Sequence, residues 1–313
     1  MTLAPLRTPD PCPVGLRGII PSLNTPFTLQ NRVDVVSLGR LVEVTVAAGC
    51  AGMLVNAVAG EGGSLTLEEK RLVLETATAH NAGRLPVIAG VSSPLPDECL
   101  ALARMARQAG VEWMLCQPPP GLRGAALEAL VGELAENGPP NLMLQDLDFT
   151  GPGMSLEEIV QLFEAQPAFR ALKIETFPAG PKYTAVLEAT GSRLHVSGGW
   201  GVQQLMEALR RGVHAFIPST MEPIYCRIFN NFWDGREEAA QTLFDELLPV
   251  LAFAHSHIDV ALPFFKRLRV REGVFASEAV RPPAPPLDPW QSQEAERLID
   301  KVLKLQARVK PEN

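Results

Sequence analysis

The residue with the clearest chemical potential is a lysine at the end of an apolar run. In Arg170-Ala171-Leu172-Lys173-Ile174-Glu175 the ammonium of Lys173 follows a strand-like stretch. Burying an ammonium is costly, and desolvation favours the neutral amine. A neutral amine in a dry pocket is the nucleophile that forms a Schiff base with a carbonyl compound. The local pattern also fits a lysine whose stem covers apolar surface while its head reaches water. Side chains alternate along a strand, so Glu175 shares the face of Lys173 and is the nearest acid–base candidate.

Other chemistry-bearing residues also follow strand-like runs. Val58-Ala59-Gly60-Glu61-Gly62-Gly63-Ser64 is glycine-rich enough to turn backbone N–H groups toward an anion such as a carboxylate. Gln145-Asp146-Leu147-Asp148, Ser197-Gly198-Gly199-Trp200 and Ile217-Pro218-Ser219-Thr220 stand at further ends. Gln145 faces inward if Met143 does, and Asp146 then faces the helices unless the strand has already ended. Each has a plainer role open to it: a turn at Gly60–Gly63, an ion-pair partner in Glu175, a loop-fixing carboxylate in Glu61, a tight connector at Gly198-Gly199, packing by Trp200.

The elements that must position these residues alternate between short β-like and longer amphipathic runs, the pattern of parallel βα units. Strands are expected at Gly18–Leu23, Gly52–Asn56, Pro86–Gly90, Trp113–Cys116, Leu142–Gln145, Ala171–Ile174, Leu194–Ser197 and Ala215–Pro218. Helices are expected at stretches such as 34–48, 66–80, 96–109, 156–165 and 202–210. Thr66 with Glu69 and Ser155 with Glu158 have capping-box spacing. Eight such units predict an α/β fold of the TIM (β/α)8 barrel type. A doubly wound sheet is disfavoured because no GxGxxG follows the first strand. The expected organisation is an N-terminal arm (1–17), a barrel (18–235) and a C-terminal helical region (236–313). That region holds helices at 237–253, 260–269 and 291–307, with a Pro-rich connector at 281–289.

The 313 residues, 46% hydrophobic, suffice for one large core. A net charge of −7 gives no electrostatic footprint for nucleic acid. No run approaches the roughly 18 apolar residues that cross a bilayer, and the N-terminus lacks a signal-peptide core. Five scattered cysteines without a CxxC pair point to reduced thiols in the cytoplasm. The histidines show no zinc spacing, and no metal is expected. A barrel enzyme using Asp146, Asp148 and Glu175 as metal ligands is the remaining metal-based alternative.

In order along the chain, several segments resemble the dihydrodipicolinate synthase / N-acetylneuraminate lyase family of Schiff-base lyases. Thr25-Pro26-Phe27 resembles its T-P-F, and Gly60-Glu61 with Ser64-Leu65-Thr66-Leu67-Glu68-Glu69 resembles its G-T-T-G-E-x-x-x-L-T-x-E-E. Pro86-Val87-Ile88-Ala89-Gly90 resembles its P-V-I-A-G strand. Ala171-Leu172-Lys173 falls where the family carries its Schiff-base lysine. Arg281-Pro282-Pro283 with Pro286-Leu287 resembles its R-P-P-x-x-P-L. The resemblance runs from about 18 to 305 and implies a TIM barrel, a catalytic Lys173 and a homo-oligomer, dimer or tetramer.

The departures bear on mechanism. The family's paired hydroxyls fall at Val58 and Ala59, and its Y-N-x-P tyrosine falls at Gln145-Asp146-Leu147-Asp148. The arginine that grips a dicarboxylate has no counterpart between Asp146 and Gly151, and Pro118-Pro119-Pro120 stands where an inter-subunit tyrosine is expected. Only Tyr183 and Tyr225 exist in the chain, and neither occupies a relay position. Expected catalytic residues are therefore Lys173 and Glu175. Substrate contacts are expected from Val58 and Ala59 (backbone), Gln145, Asp146, Ser197, Gly198 and Ile217. The implied function is a lyase, an aldolase or dehydratase, acting on pyruvate or a hydroxylated, sugar-derived 2-keto acid, without a cofactor. Authentic 4-hydroxy-tetrahydrodipicolinate synthase and a weakened keto-acid-binding barrel are the alternatives.

Overall fold

A computed structural model describes residues 12–199 and 203–309. Eight strands are all parallel: β1 (Gly18–Ile19), β2 (Met53–Val55), β3 (Val87–Gly90), β4 (Trp113–Cys116), β5 (Asn141–Asp148), β6 (Phe169–Thr176), β7 (His195–Gly198) and β8 (Ala215–Phe216). Their order is β1-β8-β7-β6-β5-β4-β3-β2. A parallel Ser22–Leu54 bridge, with the Leu23 N–H donating to the Leu54 carbonyl at 2.8 Å, joins β1 to β2 and closes the ring.

Helices α1 (Val35–Ala47), α2 (Leu67–Asn81), α3 (Pro96–Gln108), α4 (Ala125–Asn137), α5 (Leu156–Ala165), α6 (Ala179–Ala189), α7 (Leu205–Arg210) and α8 (Glu222–Trp233) follow the strands in turn. This is the expected TIM-like (β/α)8 architecture. Local chemistry starts the helices where the caps predict. Thr66 and Glu69 form a complete capping box at α2, and Ser155 accepts from the Glu158 N–H at α5. Helices α9 (Glu237–Ala254), α10 (Ile258–Arg271) and α11 (Pro289–Val309) come after the barrel, with α9 and α11 packed on α8. No single helix among the described residues is long and apolar enough to cross a membrane.

Two apolar cores result from strand alternation. The inner one fills the barrel with Leu16, Ile20, Leu54, Ile88, Trp113, Leu115, Met143, Ala171, Ala215 and Ile217. The outer one lies between strands and helices and includes Leu144, Leu172, Ile174, Val196 and Phe216. In the barrel wall His195 stacks on His214 with ring centroids 5.1 Å apart, and a ring nitrogen of His195 lies 2.7 Å from the Leu16 carbonyl. Burial, reinforced by His214, pushes His195 down to about 3. The cysteines prove less scattered in space than in sequence: buried Cys50 and Cys226 bring their Sγ atoms within 3.8 Å as free thiols.

The main difference from the sequence expectation is in β5 and β6. Each runs eight residues, well past the expected ends at Gln145 and Ile174. They pair in register from Met143–Ala171 to Asp148–Thr176. The extra length keeps the alternation going beyond Gln145 and Lys173, which decides where Asp146 points.

Candidate active site

Lys173 sits in the middle of β6, opposite Gln145 of β5 and Ser197 of β7. All three follow the parity of inner-core residues Met143 and Ala171, so they rise into the barrel above the apolar plug. Glu175 stands two residues further along the same face. Its Oε2 lies 3.0 Å from Lys173 Nζ and accepts from Gln145 Nε2 at 2.5 Å. The Lys173 and Glu175 side chains are only 8% and 9% exposed, so this network is screened from water and strong. Glu175 thus joins the lysine to an amide that occupies the expected position of a phenol.

Gly199 follows β7 with the parity of Ser197. A Cβ there would lie 2.0 Å from Glu175 Oε1 and 2.8 Å from Lys173 Cε. The missing side chain is what lets the β7 end approach the pair. In sequence the run Ser197-Gly198-Gly199 reads as a strand end or a tight connector, and it does not mark which glycine makes this approach. Gly198 has the opposite parity. A Cβ at Gly198 would meet the Phe216 ring at 2.4 Å and the Tyr183 hydroxyl at 2.8 Å. Gly198 is therefore a glycine required by packing on the outer face.

Two further residues expected at the site are engaged within the fold. Asp146 is on the outer face of β5, where it forms an ion pair with Lys182 of α6 and accepts from the Met154 N–H at 2.9 Å. The strand does not end at Gln145, so alternation turns Asp146 toward the helices. Burial raises its carboxyl above the usual range although Lys182 opposes this. Ile217 is buried in the inner core, and its N–H donates to the Gly198 carbonyl at 2.9 Å. It caps the apolar plug at the end of β8. Asp148 accepts from the N–H groups of Thr150 and Gly153, closing its own loop. Asp146, Asp148 and Glu175 consequently do not converge on one point, and no His/Cys/Asp/Glu cluster suited to a metal occurs among the described residues.

Val58–Gly60 forms a one-turn 3-10 helix after β2. The first N–H groups of such a turn, those of Val58 and Ala59, have no partner within it. The turn is anchored from behind. Asn24 donates to the Ala59 carbonyl at 2.7 Å, and the Thr25 hydroxyl donates to the Gly60 carbonyl at 2.6 Å. Glu61, left-handed at φ 56°, pairs with the fully buried Lys266 of α10 and accepts from the Arg281 N–H at 2.9 Å. Burial pushes Lys266 down to about 8, with Glu61 pulling the other way. The Phe27 ring lies between two cations, with Lys266 Nζ and Arg281 Cζ each 4.1 Å from its centroid. Arg281 also pairs with Glu69 at 2.6 Å. The T-P-F, G-E and R-P-P segments are thus one structural cluster that holds the Val58 turn. Glu61 is the loop-fixing carboxylate, and nothing in the sequence marked Lys266 as its partner.

Neither tyrosine reaches the site. Tyr183 donates weakly to the Ile174 carbonyl at 3.4 Å from outside the wall, and Tyr225 is buried on α8 without a hydroxyl partner among the described residues. Burial raises both phenols. Trp200 lies outside the described residues.

The lysine–carboxylate pair lies at the C-terminal mouth of a parallel (β/α)8 barrel, the face where barrel enzymes carry their chemistry. The comparisons specify the family. The model of the dihydrodipicolinate synthetase family matches residues 15–302. L-2-keto-3-deoxyarabonate dehydratase of Azospirillum brasilense is 27% identical, over 87% of this chain and 90% of its own length. The 4-hydroxy-tetrahydrodipicolinate synthase of Xanthomonas campestris is 28% identical over 94% of this chain and 97% of its own. The crystal structure of dihydrodipicolinate synthase from Rhodopseudomonas palustris superposes with a TM-score of 0.85 at 26% identity, covering 92% of this chain and 98% of that one. Sialic acid aldolase of Ruminococcus gnavus shares the fold, with a TM-score of 0.84 at 19% identity, covering 95% of this chain and 100% of that one. The chain belongs to the dihydrodipicolinate synthetase family, and it is a lyase.

Proposed function

We propose that this protein is a Schiff-base lyase that cleaves or dehydrates a 2-keto acid, with Lys173 as nucleophile and Glu175 as the acid–base group. The buried contact between Lys173 Nζ and Glu175 Oε2, 3.0 Å long, carries this reading. The N–H groups of Val58 and Ala59 receive the substrate carboxylate, and Gln145 and Ser197 flank the reacting carbon.

In an aldol cleavage Glu175 takes a proton from the Lys173 ammonium, and the amine attacks the C2 carbonyl. Glu175 returns the proton to the carbinolamine hydroxyl, which leaves as water and gives the iminium. Glu175 then accepts the C4 hydroxyl proton as the C3–C4 bond breaks and its electrons enter the iminium. The aldehyde departs, C3 of the enamine takes the proton back from Glu175, and water hydrolyses the iminium to pyruvate and free lysine. The iminium is the electron sink, so no cofactor is required. The carboxylate thereby takes over the proton transfers that the family assigns to tyrosine.

We place the enzyme in the cytoplasm, as its free thiols suggest, and assign it a homo-oligomer, dimer or tetramer, as expected from its family. The test is incubation with pyruvate and borohydride followed by peptide mass spectrometry. The expected result is a reduced adduct on Lys173, absent in Lys173→Met, together with turnover of a 4-hydroxy-2-keto acid. An adduct without turnover of any keto acid would favour a binding barrel, and no adduct would overturn the proposal.

A further inference from the structure

The two longest strands carry more than the catalytic pair. Beyond Gln145 and Lys173, β5 and β6 continue in register through Leu147–Glu175 and Asp148–Thr176. At roughly 3.3 Å per residue, this raises a two-stranded flange about 10 Å above Lys173. Alternation that points Gln145, Lys173 and Glu175 inward puts Leu147 on the same face. Asp146, Asp148 and Thr176 have the outer parity. Phe149 and Phe177 follow their strands directly and are 61% and 67% exposed. The Phe177 N–H donates to the Gly151 carbonyl at 3.0 Å, which ties the two loop starts together. Elsewhere on the rim, Val58 after β2 and Leu95 after β3 are 53% and 57% exposed.

Charge is scarce on the same rim. The segments 91–95, 149–155, 177–178 and 217–221, which leave β3, β5, β6 and β8, contain no Lys, Arg, Asp or Glu. After β4, Arg123 lies 3.9 Å from Glu158, and after β2, Glu61 is held by Lys266. Among the described residues on the β5–β8 side, the one cation besides Lys173 that a second carboxylate or a phosphate on the substrate would approach is Lys182, and it is already held by Asp146 and by the Pro152 and Met154 carbonyls of the β5 loop. Hydroxyl groups on a sugar chain would face Leu147 and two phenyl rings.

We infer that the half of the substrate distal to the keto acid is an uncharged apolar group, alkyl or aryl, seated against Leu147, Phe149 and Phe177. This rests on the Schiff-base reading above and narrows it to a substrate class. In the synthetic direction the enamine carbon of Lys173-bound pyruvate adds to an apolar aldehyde and a C–C bond forms. The aldehyde oxygen takes the Glu175 proton, and water releases a 4-hydroxy-2-keto acid bearing that group at C4. An apolar wall discriminates by burial, and groups differing by a few carbon atoms are separated on the order of 10- to 200-fold.

The test compares kcat/KM for pyruvate addition to benzaldehyde, glyceraldehyde and succinic semialdehyde, alongside borohydride trapping of pyruvate on Lys173. Benzaldehyde is expected to exceed both others by at least about tenfold. In Phe149→Ser/Phe177→Ser that preference falls about tenfold, and the loss appears in KM for benzaldehyde rather than KM for pyruvate. Circular dichroism confirms that the variant is folded. Trapping with no aldehyde preference, a reversed order, no addition to any of the three, or a preference that survives the double substitution each overturns the inference while leaving the lysine chemistry intact. Failure of trapping overturns both.

Discussion

Replacing Glu175 by glutamine preserves volume and removes the one group assigned to every proton transfer. In the native site Oε2 serves two donors, Lys173 Nζ at 3.0 Å and Gln145 Nε2 at 2.5 Å, and Oε1 faces the gap left by Gly199. The amide of Glu175→Gln can turn its single oxygen to those donors and its NH2 toward Gly199, so the backbone need not move. What is lost is the capacity to take up and return a proton. General acid–base catalysis contributes about 10²- to 10⁴-fold, or roughly 3–5 kcal/mol of transition-state stabilisation. The expected outcome is a fall in kcat within that range for aldol cleavage. The rate of borohydride-trappable adduct formation should fall in parallel, since carbinolamine dehydration uses the same proton. Glu175→Asp, which withdraws the carboxylate by one methylene, should fall between the two. Steady-state kinetics and time-resolved trapping, with thermal unfolding as a check on folding, measure all three. A Glu175→Gln enzyme within about threefold of the parent in kcat would refute the assignment and return Glu175 to a structural ion-pair role.

The two adjacent glycines should separate activity from stability. Gly199→Ala pushes a methyl group into the Lys173–Glu175 pair and should lower kcat at least 100-fold on the same acid–base scale with a small change in melting temperature, whereas Gly198→Ala collides with Phe216 and Tyr183 and should cost about 1–3 kcal/mol in urea unfolding. Lys266→Met leaves the Glu61 carboxylate buried without its cation and should destabilise the fold by about 3–5 kcal/mol; it should also raise KM for the keto acid, because the Val58 turn loses its anchor. Acid should unfold the protein early. His195 and His255 are held down to about 3 and about 4 by burial, so below the ordinary 6.5 the unfolded chain binds protons that the folded one refuses. Stability is complete above 6.5 and falls as pH drops toward 4, by up to about tenfold in the folding equilibrium per pH unit for each histidine; chemical denaturation at pH 7, 6 and 5 checks this, and His195→Gln should flatten the slope.

Much of the architecture was legible because strands and helices have different periods. Eight apolar runs alternating with amphipathic ones leave few arrangements besides a parallel barrel, and the capping residues Thr66 and Ser155 mark helix starts in any context. Lys173 and Glu175 were legible for the same reason, since a two-residue spacing on a strand puts both on one face whatever the rest of the fold does. The partners of these residues were not local and could not be read. How far β5 extends decides that Asp146 turns outward to Lys182, and extension is set by pairing with β6 rather than by the residues of β5. Inter-strand register brings Gln145 onto Glu175. The path of β7 sets Gly199 against the Lys173–Glu175 pair and Gly198 against Phe216 and Tyr183. Glu61 meets the backbone of Arg281, 220 positions away, and a buried lysine from α10 only because the C-terminal helices fold back on the barrel. The sequence by itself determined which groups could do chemistry and which face of a strand they share. Only the tertiary structure decided which of them meet, because contacts between strands and between distant helices depend on register and packing that no local pattern encodes.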